Sequence, residues 1–99
     1  MTRRELLEWL GTRRPVPPAD LRAHLDAAVK DGAEPLPQHL ARLGSELLTW
    51  VARQPTGGRE LALDLLAADA FVTYAFEAQA EADVDGLARL AQAVTGGNA

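Results

Sequence analysis

Apolar residues along this chain recur at three- and four-residue spacing, the period of a helix, and no run of four or more alternating apolar and polar positions marks a strand. The pattern predicts an all-α fold. Thr2 and Glu5 have the spacing of a capping box, and Leu6, Trp9 and Leu10 then share one face of a short helix that Gly11 closes. Pro15, Pro17 and Pro18 form a stiff extended linker. A second helix is predicted from about Pro18 to Asp31, with Leu21, His24, Leu25, Ala28 and Val29 on one stripe and Gly32 as its stop. Pro35 and Pro37 restrict the chain ahead of a third helix ending at Gln54, whose stripe is Leu36, Leu40, Leu43, Gly44, Leu47, Leu48 and Val51, flanked by Trp50. Gly44 costs that helix about 1 kcal/mol relative to Ala, which implies close approach of a neighbouring helix.

After a Thr56-Gly57-Gly58 loop, Arg59 to Ala82 reads as one long helix of about 36 Å. Asp83 is placed to cap a final helix, Val84 to Val94, with Val84, Leu87, Ala88, Ala91 and Val94 as its stripe. The expected architecture is a single helical domain over residues 1–95, a bundle of four to five helices with one long helix at about 59–82, and a flexible tail at 96–99.

The long helix is apolar on more than one side. Leu61, Leu65, Val72 and Phe76 fall together with Ala62, Leu66 and Thr73, and this side is the predicted core face, with Asp69 in its middle. The opposite side carries Glu60, Asp64, Ala67, Phe71, Tyr74 and Ala78. A second apolar side of this kind is covered either within the bundle or by a partner. Because four shorter helices are a small supply of cover, the expectation is a homodimer with Phe71, Tyr74, Ala67 and Ala78 in its interface. The competing arrangement lays Trp9 and Leu10 of the first helix over the same patch.

Composition narrows the class without adding a site. The 99 residues are 47% apolar and 24% charged, near the globular average, and contain no cysteine, so disulfides, thiolate metal sites and thiol nucleophiles are excluded. Apolar runs are broken by Glu5, Glu8, Asp64 and Asp69, which leaves no secretory leader or membrane span legible, and a cytoplasmic protein is expected. Arg outnumbers Lys and Ala and Leu dominate, a bias that fits a GC-rich bacterial source. The net charge is −4, with the acidic excess in the second half, where general nucleic-acid binding is disfavoured.

Asp69 and His24 are the candidate buried polar pair. A carboxylate on a core face is ordinarily structural, paired or hydrogen-bonded, and a histidine on an apolar stripe is ordinarily a core residue with one satisfied nitrogen. In the alternative reading the two line a pocket for a small apolar ligand. His39 lies beside the third stripe, but no His-x-x-x-His spacing supports a metal, and no cofactor is implied. Arg3, Arg4, Arg13 and Arg14 bracket the first helix and could meet phosphate, or the chain's own acidic half. The hydroxyls of Ser45, Thr49 and Thr73 have no histidine at helical spacing to activate them. The functional expectation is a non-enzymatic helical interaction module, an adaptor or regulatory subunit that self-associates through its long helix; the small-ligand binder is the alternative. A filled core favours the first, and a cavity of roughly a few hundred Å³ beside Asp69 the second.

Overall fold

The capping box forms as the sequence predicts: Glu5 N–H donates to Thr2 Oγ1 at 3.1 Å, and Thr2 N–H donates to Glu5 Oε1 at 2.8 Å. It opens helix α1, Arg3–Leu10, in a computed structural model that describes residues 1–82 and 87–96. The other helices are α2 (Ala19–Ala28), α3 (Leu36–Ala52), α4 (Arg59–Ala82) and α5 (Leu87–Gly96). The described residues contain no strand, so the chain is all-α, with the long helix at the expected position. The expected cap Asp83, the start of the last helix at Val84 and tail residues 97–99 lie outside the described residues, as do the side chains of Leu87 and Ala88. Gly96, expected in the tail, closes α5.

Helix α2 stops three residues short of its expected end. Val29 turns extended, at φ −70° and ψ 130°, and is buried. The segment that follows leaves the helix because its backbone finds partners elsewhere. Arg3 donates to the carbonyls of Asp26 at 2.9 Å and Val29 at 3.1 Å, placing a cation on the carbonyl end of α2 where the helix dipole favours it. The Lys30 carbonyl accepts from His39 Nε2 at 2.8 Å, and Gly32 N–H donates to the Met1 carbonyl at 2.9 Å. Gly32 is therefore a packing position and not a helix stop, since a Cβ there would lie 2.7 Å from His39 Nε2.

Helices α3 and α4, joined by the short Gly57-Gly58 loop, form the principal pair, with α2 packed on α4 and α5 against both α3 and α4. Gly44 delivers the close approach its position implies. A Cβ at Gly44 would lie 3.0 Å from the Ala68 carbonyl oxygen and 3.1 Å from Val72 Cγ2, tighter than ordinary Cβ contacts, so a side chain here would push the two helices apart by a few tenths of an ångström. Leu6 and Leu10 of α1 join Leu25, Leu40, Leu43, Phe71 and Leu90 in one buried cluster. Each such side chain contributes about 1.5–3 kcal/mol on leaving water.

The inward face of α4 is the reverse of the one expected. Ala67, Ala68, Phe71, Ala75, Ala78 and Gln79 are buried, whereas Leu65, Leu66 and Asp69 are exposed. Small residues win the inner side because α3 can approach closely only over alanines, and the ring of Phe71 fills the space the alanines leave. Trp9 of α1 meets Tyr74 edge-on with ring centroids 6.1 Å apart, and Arg13 stacks over Trp9 at 4.1 Å while binding Glu81 at 2.6 Å. The first helix is thus the cover for the Phe71 and Tyr74 side. Burial also raises the Tyr74 hydroxyl pKa above its ordinary value.

Candidate interaction surface

The face of α4 turned away from the core forms one wall of an open groove of about 770 Å³. Leu65, Leu66, Asp69 and Val72 contribute from α4, Ala41, Leu48 and Thr49 from α3, and Leu90 and Val94 from α5. Its floor is the tight Gly44–Ala68 crossing, where two small residues bring the helices together and leave a trough between their outer side chains. The rims are unusually apolar for a water-facing surface: Leu48 is 50% exposed, Leu65 48% and Leu66 54%. Isolated exposed leucines are unremarkable, but three bordering a single apolar trough form a patch of the kind that marks a contact site.

Charge around the groove is unevenly satisfied. Arg42 forks onto Glu34 at 2.8 and 3.2 Å and onto Glu46 at 2.8 Å, and Lys30 also reaches Glu46 at 3.3 Å. The Arg42 guanidinium holds both carboxyls below the usual glutamate range, so this network is neutralised within the chain. Asp69 has no such partner among the described residues; Thr73 Oγ1 donates to its backbone carbonyl at 3.3 Å.

The other candidate residues fall differently from expectation. Phe71, Ala67 and Ala78 are buried in the chain's own core and Tyr74 lies under Trp9, so the expected dimer face is already occupied. Asp69 and His24 are not a pair. Asp69 faces solvent on the groove side, while His24 Nδ1 lies 2.6 Å from Asp64 Oδ1 and His24 Nε2 lies 2.8 Å from Glu60 Oε2. With a carboxylate at each ring nitrogen, only the imidazolium can donate on both sides, and the His24 pKa is raised, chiefly by the Asp64 hydrogen bond. The carboxylates sit on different nitrogens, and no group of three or more His, Asp or Glu side chains among the described residues is placed to hold a metal. His39 is fully buried, with Nε2 bonded to the Lys30 carbonyl and no partner for Nδ1 among the described residues.

The arginines around α1 are engaged within the chain. Arg3 binds α2 carbonyls, Arg4 lies 3.5 Å from Glu8, Arg13 binds Glu81, and Arg14 donates to the carbonyls of Gly11 and Arg13. Among the described residues no helix is long and apolar enough to cross a membrane. No known protein family, curated protein or solved structure matches this chain.

Helical periodicity places Leu48, Leu65 and Leu66 on core stripes, which hides the groove from the sequence. The available signal was their doubling, Leu47-Leu48 and Leu65-Leu66, which puts more leucine on each helix than a single inward stripe can bury. The ion pair of His24 had a signal too: Glu60 and Asp64 are four residues apart and share a helix face.

Proposed function

We propose that this chain is a non-enzymatic helical interaction module whose contact face is the α3–α4–α5 groove. The observation that carries the reading is the exposure of Leu48, Leu65 and Leu66 along one apolar trough, at a cost in solvated apolar surface that a partner's apolar face would remove. Long apolar grooves between packed helices accept the apolar face of another helix. The long fourth helix remains the contact element of the expected module, with its leucine side as the working surface.

A small apolar ligand is the second reading, and the groove's volume together with Asp69 on its wall favours it. Against it, ligand sites bury most of the ligand's surface, whereas half-exposed leucines leave this trough open along its length. His24, the other member of the expected ligand pocket, does not line it.

A photo-crosslinking residue placed at Leu66, with Ala27 on the exposed side of α2 as the control position, tests the proposal in the source cells. The expected result is a covalent protein adduct at position 66 and none at 27. No adduct, or equal adducts at both positions, would overturn it, and a small molecule co-purifying in native mass spectra would transfer the groove to the second reading.

A further inference from the structure

We infer that the occupant of the groove is a helical segment of another protein whose apolar stripe carries one Lys or Arg at its centre, seated on Asp69. The inference rests on the interaction reading above and gives the partner its chemistry.

Charge selects the partner. Asp69 is exposed on the trough wall, and its carboxylate has no ion pair or hydrogen bond among the described residues. The cation that lines the groove is already engaged. Arg42 donates from Nε, Nη1 and Nη2 to Glu34, Glu46 and the Asp31 carbonyl, and Lys30 on Glu46 completes a network of no net charge. An acidic partner would meet Asp69 without a free cation to offset the repulsion. A wholly apolar partner would strip water from the Asp69 carboxylate and return no hydrogen bond. Lys or Arg replaces that water with a charge-assisted bond, so the carboxylate that admits a cationic partner rejects the other two. The surrounding field has the same sign: residues 56–99 carry seven acids against two bases, which draws a basic segment toward this half of the chain.

Spacing along the groove sets where that cation falls. Asp69 lies about 6 Å beyond Leu65 and about 4.5 Å before Val72, so an apolar side chain stands close to one helical turn from it on either side. α3 runs antiparallel to α4 with Gly44 against Ala68 and Val72, which brings Leu48 near the level of Leu65 and Leu66, Ser45 near that of Asp69, and Ala41 near that of Val72. The trough is therefore apolar at each end and polar in the middle. A helix lying along it presents side chains at i, i+3 or i+4, and i+7. The matching pattern at those positions is apolar, Lys or Arg, apolar, and it reads the same in either chain direction.

Selection from a displayed library of helical peptides, with the full chain as bait and its Asp69→Arg and Leu66→Glu variants as parallel baits, tests the pattern. Both positions are exposed, and circular dichroism with a thermal melt checks that each variant is folded. The expected result is that peptides enriched on the wild-type chain carry Lys or Arg between two apolar residues at this spacing. They should bind Asp69→Arg about tenfold more weakly and Leu66→Glu not at all, and selection on Asp69→Arg should enrich Asp or Glu at the same central position. Enriched peptides without a central cation, peptides indifferent to Asp69→Arg, or no enrichment over the Leu66→Glu bait would each overturn the inference. Crosslinking at Leu66 separates this failure from that of the interaction reading. A protein adduct whose yield Asp69→Arg leaves unchanged keeps the groove as a contact face and overturns the central cation, whereas an adduct of two copies of this chain, or a co-purifying small molecule, overturns the foreign helix as occupant.

Discussion

The imidazole of His24 and the carboxylate of Asp64 join α2 to α4 across 2.6 Å, with both side chains about four-fifths withdrawn from water at 18% and 20% exposure. Glu60 takes the other ring nitrogen and is 79% exposed, and Arg59 and Asp20 form a second ion pair between the same two helices. This clasp makes the α2–α4 contact sensitive to pH.

The first prediction is a loss of stability as pH rises above the ordinary histidine range. Because the pKa of folded His24 is raised, its contribution is complete below the ordinary value of 6.5 and fades as pH climbs through the higher folded value. His24→Gln keeps a neutral hydrogen-bond donor and removes the charge. It should cost about 1 kcal/mol near pH 6 and much less near pH 9, measured by urea unfolding of both proteins. Equal costs at the two pH values would show that the imidazolium is not the stabilising form.

Gly44→Ala should destabilise the fold even though alanine is the better helix former. The added methyl meets the Ala68 backbone carbonyl at 3.0 Å and Phe71 Cβ at 3.2 Å, and neither atom can swing aside. Overpacking of about 1–3 kcal/mol exceeds the propensity gain of about 1 kcal/mol, leaving a net loss of about 1 kcal/mol in chemical denaturation. A stabilised variant would mean that α3 and α4 separate freely.

Phe71→Ala should cost about 3–5 kcal/mol, a large part of the stability of a small domain, because the ring is fully buried among α1, α3 and α4. Phe71→Glu should unfold the chain, seen as collapse of the helical dichroism signal. A folded, monomeric Phe71→Glu protein would restore the Phe71 side as a surface.

Asp69→Asn should leave stability within about 0.5 kcal/mol of wild type, since the carboxylate faces solvent and makes no contact that folding depends on. A thermal melt shifted well beyond that range would place Asp69 in the interior, where its angular position on the long helix first suggests.

Local signals determined a good deal of this protein. The capping box at Thr2, the prolines that delimit α2 and α3, the Gly57-Gly58 loop and the 3.6-residue period fix the helices and their order, because each acts within a few residues of backbone. The glycine in the α3 stripe announces a close crossing for the same reason.

Tertiary structure alone decided which way the helices face and where α2 ends. The helical period carries α2 on to Asp31, yet backbone groups of Val29, Lys30 and Gly32 are claimed by Arg3, His39 and Met1 from distant parts of the chain. α4 is apolar on two sides, and periodicity ranks those sides by side-chain size, favouring Leu61, Leu65, Val72 and Phe76. Burial is settled instead by how closely the neighbours can come. Gly44 of α3 fits only against the small residues around Ala68, and Trp9 of α1 closes over Tyr74, so the alanine side turns inward and the leucines are left facing water. Which faces meet depends on all the helices at once, and that joint constraint is absent from any one segment of the sequence.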